Sequence, residues 1–329
     1  MILALLLAAQ TEFAERKLAT LPDGARLQEL FVTTDGTAAA YAFFDGKKVL
    51  AVRGEWRTKP YDMLRLAALS PDGRHVLYIT FDDSDRLHRL WLDERLIQTI
   101  DARDGLTWHS LGALSRNGSV AVLMIGSAGK EWRTYSVNGK NGTPHTLQHL
   151  TPPKLSLDGK TIAGQGTTLG NSFRVILNDV AGPVYDNLAG PAVSENGIVA
   201  YVGEKPDGSL ELRHGDKVSR LEGLMPEDVF ISADGLKLGY VLSDKGVFVR
   251  VDAKTYPKLK RVNHAAFDAR GQKVVFWGLE GDKNVVGIED RVFDAPGIVT
   301  PPIFSPDGTK VGYGTQIGQD LIWKVIDAK

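Results

Sequence analysis

The chain has 329 residues, 43% of them hydrophobic, and 39 Lys and Arg set against 40 Asp and Glu leave a formal net charge of −1. That length exceeds what one hydrophobic core usually organises, so the chain must divide or repeat, and the balanced charge offers no basic surface to announce nucleic acid. With no cysteine, disulfides, thiolate zinc sites and a Cys nucleophile are excluded.

The first element, Ile2-Leu3-Ala4-Leu5-Leu6-Leu7-Ala8-Ala9, reads as the apolar part of a signal peptide and is too short to span a bilayer. No Lys or Arg precedes it and no Ala-x-Ala site follows, so a helix from Ile2 to Leu18 lying on the folded body is the alternative. Residues 1–20 are therefore set apart as signal peptide or N-terminal helix, and 21–329 as one repeat domain. A signal would make the protein periplasmic or secreted; without one it is cytoplasmic. No segment qualifies as an integral membrane span.

Next, Leu21-Pro22-Asp23-Gly24 has turn chemistry but no evident strand ahead of it, and Ala25 to Leu30 reads as a lone strand feeding the first repeat. From there eight Gly-centred turns recur: Gly36, Gly73, Gly118, Gly159, Gly197, Gly235, Gly271 and Gly308, spaced by 37, 45, 41, 38, 38, 36 and 37 residues. All but Gly271, which follows Arg270, are preceded by Asp or Asn, as in Pro71-Asp72-Gly73 and Pro306-Asp307-Gly308. Pro presets φ, Asp bonds back to the backbone and Gly takes the left-handed corner. Five residues after the glycine stands an aromatic in five copies, Tyr41, Tyr78, Tyr240, Phe276 and Tyr313. Tyr201 comes one residue early, and Leu123 and Gly164 break the pattern.

Each period has room for four short strands, for example His88 to Leu92 and Leu96 to Ile100 in the second, Leu210 to Arg213 in the fifth, and Val285 to Ile288 with Arg291 to Asp294 in the seventh. A fixed period of this length built from strands predicts an all-β propeller, with eight four-stranded blades or seven if the first or third copy has another role. The eighth copy has only three strands before Lys329. The spare strand Arg26 to Leu30 is expected to pair beside Leu321 to Ile326 and close the ring, which suits a monomer with no open sheet edge.

The eighth copy, Phe304-Ser305-Pro306-Asp307-Gly308-Thr309-Lys310-Val311-Gly312-Tyr313, and the second, Ala68-Leu69-Ser70-Pro71-Asp72-Gly73-Arg74-His75-Val76-Leu77-Tyr78, closely resemble the TolB-type, WD-like Ser-Pro-Asp-Gly repeat of bacterial β-propellers. Pro60-Tyr61-Asp62, Val184-Tyr185-Asp186 and Val292-Phe293-Asp294 look like the mark of an exported subgroup of them. The resemblance covers the chain after residue 25 and implies architecture and a cell-envelope location. It brings no catalytic residue, and the chain lacks both a hydrolase domain and the separate N-terminal domain of TolB itself.

A search for chemistry finds no Gly-x-Ser-x-Gly elbow and no His-Glu-x-x-His metal pattern, so no cofactor or metal is expected. Gly126-Ser127-Ala128-Gly129-Lys130 misses a phosphate loop at both ends. Asp82-Asp83-Ser84-Asp85 offers oxygen ligands for calcium but in the wrong order, and reads as a hairpin tip. If the Asp-Gly turns occupy one face, the loops entering the inner strands occupy the other. Around that channel mouth the expected ligand-binding residues are Arg65, Trp108, His109, Lys154, Glu227 and His264, with Trp108 as an exposed recognition aromatic. The expected function is a non-enzymatic binding propeller for a protein, peptide or glycan. The alternative is a hydrolase or lyase with carboxylates such as Glu227 and Asp83 at the mouth.

Overall fold

Turn chemistry sets the repeat. In the second copy the Ser70 hydroxyl donates to Asp72 Oδ1 at 2.6 Å and accepts the His75 amide at 3.0 Å, Asp72 also accepts the Arg74 amide at 3.1 Å, and the Gly73 amide closes the turn on the Ser70 carbonyl at 2.8 Å. The eighth copy repeats this at Ser305, Asp307, Thr309 and Lys310. Thr33, Ser115, Ser156, Ser194 and Ser232 hold the serine position in other copies, and all are buried. In the seventh copy Arg270 cannot accept a hydrogen bond, and Asp268 stands in the serine position. Its carboxylate takes the Gln272 and Lys273 amides, at 2.6 and 3.0 Å, so one residue serves for two.

The computed structural model describes residues 14–127, 129 and 131–328. Eight antiparallel sheets form an eight-bladed β-propeller of four-stranded blades, with the outer strand of blade 3 and the inner strand of blade 4 each split into two short pieces. The intact inner strands include Arg26–Val32, Met63–Leu69, Leu106–Leu114, Asn187–Val193, Asp228–Ile231 and Arg261–Phe267 in blades 1, 2, 3, 5, 6 and 7. Second strands such as Val76–Asp82 and Ala121–Ser127 are buried along most or all of their length, because each blade is covered by a neighbour on both faces. The core is accordingly a ring of eight clusters, one at each blade interface.

Each turn glycine also seats its blade on the preceding one. A Cβ at Gly118, φ 68°, would lie 2.6 Å from the His75 ring, and one at Gly235, φ 77°, 2.6 Å from Ile198. On the same face the Arg116, Leu157 and Glu195 amides donate to the carbonyls of Leu157, Glu195 and Ala233, at 2.9, 3.0 and 3.1 Å, stringing the turns of blades 3 to 6 together. Gly164, where the repeat aromatic is missing, has a similar cause. Tyr135 of blade 3 occupies that space, 1.6 Å from where a Cβ would stand, and its hydroxyl donates to the Thr151 carbonyl at 2.9 Å.

Two inner strands are broken by prolines, Thr151-Pro152-Pro153 in blade 4 and Thr300-Pro301-Pro302 in blade 8, four blades apart and so opposite across the ring. Proline has no amide to donate. In both places the threonine hydroxyl continues the ladder by accepting a second-strand amide, Gln165 at 2.9 Å and Gly314 at 2.7 Å.

Ring closure differs from the sequence expectation. The last blade does have three strands of its own, but Arg16–Thr20 completes it, pairing Arg16 with Trp323 and Thr20 with Asp320. Arg26–Val32 is instead the continuous inner strand of blade 1, paired with Ala39–Asp45. The Pro22-Asp23-Gly24 turn joins the two, with the Ala25 amide on the Pro22 carbonyl at 3.0 Å. Its apparently missing strand was hidden in the segment set apart as a leader or helix, and Arg16, Lys17 and Leu18 are extended, not helical. The apolar run Ile2 to Ala9 lies outside the described residues. Among the described residues no helix is long and apolar enough to cross a membrane.

Candidate binding site at the channel mouth

Strand register defines the site. In blades 1, 2, 6 and 7 the repeat aromatics Tyr41, Tyr78, Tyr240 and Phe276 pair across to Leu30, Leu66, Val229 and Ala265 of the inner strands. The residues one step earlier are Glu29, Arg65, Asp228 and His264. These four polar residues therefore share one level at the loop-side end of the central channel. In blade 3, Gly112 pairs with Leu123, and Leu111 takes the same level with 43% of its surface exposed.

Neighbouring blades are tied here by charge. Glu29 Oε1 accepts from Arg65 Nη1 at 3.1 Å and its Oε2 accepts the Leu66 amide at 2.7 Å. Burial nevertheless raises the Glu29 pKa, with the Leu66 amide and Arg65 pulling the other way. Burial also raises Asp228, which accepts the Val229 amide at 2.8 Å and is drawn down by the charge of Lys154. His264 is pushed down to about 4, by burial first and by Lys154 second, so its imidazole is neutral near pH 7. Lys154 belongs to blade 4, Asp228 to blade 6 and His264 to blade 7; one cation reaches both only across the channel. Asp228 itself is exposed at the start of its strand.

A cavity of about 470 Å³ opens beside Glu29, walled by Leu27 to Phe31 of blade 1 and by Trp277, Ile298 and Val299 of blades 7 and 8. Pro301 and Pro302 explain the space, because the inner strand of blade 8 keeps only Ile303–Phe304 and a single bridge from Ile298 to Thr315. The size is that of a small-ligand pocket.

Of the six expected residues, Arg65 and His264 share this level; Lys154, paired with Ala163, lies two residues further toward the turn face, and its charge acts on Asp228 and His264. Glu227 is exposed beside it, and its successor Asp228 holds the position expected of it. His109 is carried by the inner strand of blade 3. Trp108 is not an exposed aromatic: it is half-buried, packs on the core between blades 2 and 3 and meets the His88 ring edge-on, centroids 6.4 Å apart. Asp83 sits in a loop of blade 2, four blades from Glu227, so those two carboxylates do not form a pair. Asp82 and Asp85 spend oxygens on the Ser84 and Leu87 amides, each at 3.0 Å, and no group of three or more candidate metal ligands occurs among the described residues. Glu29 and Asp228 were missed. The available signal was one carboxylate within the largely apolar Leu27 to Val32 stretch, and a Glu-Asp pair at a strand entrance.

No family model and no curated protein matches the sequence. Among solved structures, one described as the eukaryotic initiation factor aligns with 94% of this chain and 90% of its own at TM-score 0.54 and 12% identity. The Dos1 propeller aligns with 96% and 95% at TM-score 0.52 and 12% identity. TolB from Acinetobacter baumannii aligns over 80% and 77% at TM-score 0.39 and 13% identity. What the first two share with this chain is the propeller fold.

Proposed function

We propose that the protein is a binding propeller that takes a protein or peptide partner at the channel mouth. The observation that carries this reading is the asymmetry of the site. Four polar residues share one register level on the face where the blades differ, and one of them, Glu29, lines a largely apolar cavity. A pocket with apolar walls and a few convergent polar groups suits a side chain or short segment of a partner better than a glycan, which needs more hydroxyl-matching groups. The Ser-Pro-Asp-Gly turns support grouping the chain with TolB-type propellers, and the apolar run at Ile2 to Ala9 supports export to the periplasm. Closure of the ring by its own strand suits a monomer.

Photo-crosslinking tests the site. A crosslinker placed at Arg65 or Val299 should trap a partner, and one at Arg74 or Leu236 on the turn face should not; trapping only from the turn face would overturn the reading. A second reading has one observation in its favour. A carboxyl with raised pKa, Asp228, and a neutral imidazole, His264, in adjacent blades are groups suited to acid–base work. Turnover of esters, lactones or glycosides that is lost in both Asp228→Asn and His264→Gln would favour it.

A further inference from the structure

The seam that closes the ring contains a second hollow, on the turn face and away from the channel. It measures about 450 Å³ and is lined by Arg16, Lys17 and Leu18 of the closing strand, by Tyr41, Arg53 and Gly54 of blade 1, and by Gly73 of blade 2. Among the described residues three cationic side chains line it and no carboxylate does.

The cations are incompletely neutralised. Arg16 donates to a backbone carbonyl, that of Gly36, which carries no net charge. Arg53 is 20% exposed and forms an ion pair with Asp93, Nη1 to Oδ1 at 3.3 Å, that lacks hydrogen-bond geometry. Asp93 is already occupied, its Oδ1 by the Val76 amide at 3.0 Å and its Oδ2 by His75 Nδ1 at 2.7 Å. Lys17 pairs with Asp320 at 2.7 Å. The other carboxylates nearby are engaged, Glu15 with Lys324 at 2.7 Å and Asp35 with Thr33 and Thr37. Among the described residues neither arginine makes the two-pronged carboxylate pair that guanidinium favours. Gly54 and Gly73 have φ of 56° and 71°, and their lack of side chains leaves the wall low.

We propose that this hollow is an anion site for a phosphate group, free or as the monoester of a small molecule, clamped between Arg16 of the closing strand and Arg53 of blade 1. Two guanidinium groups on different strands match a tetrahedral oxyanion with several acceptors, and the volume leaves room for a small organic portion against Tyr41. The consequence is structural: an anion held there ties the N-terminal strand to the first blade, and ligand that binds only the closed ring stabilises it. The site is on the opposite face from the channel mouth and stands whether or not that mouth binds a partner.

The test uses inorganic phosphate and glycerol 3-phosphate, with chloride at matched ionic strength as reference, read by calorimetry, phosphorus NMR and thermal unfolding of the full chain. Phosphate at tenfold excess over its Kd should raise Tm by ~2 °C. Arg16→Gln and Arg53→Gln should each weaken binding about tenfold or more, Arg16→Lys should weaken it less, and Arg74→Gln, outside the hollow, should leave it unchanged. Tighter binding of glycerol 3-phosphate than of phosphate would assign the monoester; equal binding would assign the phosphate group alone. Because Arg53→Gln also disturbs Asp93, the exposed-edge variant Arg16→Gln decides. The proposal fails if phosphate acts no differently from chloride, or if Arg16→Gln binds like wild type.

Discussion

On the turn face all eight blades present the same object, a buried Ser, Thr or Asp bonded to a tight turn whose glycine rests on the preceding blade. On the loop face the corresponding inner-strand level holds Glu29, Arg65, Leu111, Asp228 and His264, no two alike. The turn face is constrained twice, by left-handed φ and by the neighbour a Cβ would strike. The loop face is constrained only by the need for an inner strand to begin. Regularity therefore marks where the ring is held together, and irregularity where it can acquire a ligand.

The largest effect should come from the seam. Truncation through Thr20 exposes the edge of the last blade and is expected to lower Tm by about 10 °C or more; an unchanged melting transition would show that Arg16–Thr20 is not the closure. Next, Gly118→Ala should cost roughly 2–4 kcal/mol in urea unfolding, combining left-handed strain with contact on His75. Gly46→Ala, on the loop side at φ 62° with open space around it, should cost about 1 kcal/mol, from strain alone. Equal costs would break the distinction between the faces.

His264 offers a pH comparison of similar size. Its folded pKa of about 4 lies below the reference 6.5, so the unfolded chain binds the proton first as pH falls. The stability this histidine contributes is complete above pH 6.5 and is lost between there and about pH 4, by up to about 3 kcal/mol. Glu29 and Asp228, whose pKa values are raised, act in the opposite sense and gain relative stability as they protonate. Unfolding at pH 7 and pH 4.5 should therefore show a smaller acid loss in His264→Gln than in wild type.

Smaller still is the exchange in blade 7. Asp268→Ser alone should cost about 1 kcal/mol, because Arg270 cannot accept the amides that the turn presents, and adding Arg270→Asp should restore most of it. Smallest is Arg65→Met. An ion pair whose cation is 46% exposed contributes about 0–1 kcal/mol, so this variant should keep its stability while weakening partner capture.

The fold was legible because its signal is local. Ser-Pro-Asp-Gly makes its turn within six residues, and eight copies at a near-constant period leave few architectures. The turn glycines' second duty, clearing His75 or Ile198 of the neighbouring blade, has no local signature. The site was half legible for a related reason. A single-residue slip turns a strand's side chains to the other face, and the inner strands carry bulges between Leu27 and Glu29, Leu66 and Ala68, and Val262 and His264. Proximity to strand entrances points to Arg65 and His264, and in blade 6 it points to Glu227, one residue short of the level that Asp228 holds. Trp108 was misjudged because exposure depends on the blade packed beside it.

The sequence by itself determined the repeat, the turn chemistry and the need for a borrowed last strand, since these follow from residue conformations and spacing, while the choice of eight blades over seven came from the sheets themselves. Only the tertiary structure decided which segment closes the ring, which side chains share a level in the channel, and that a cation-lined hollow forms at the seam. Those depend on residues hundreds of positions apart being brought together when the last blade meets the first.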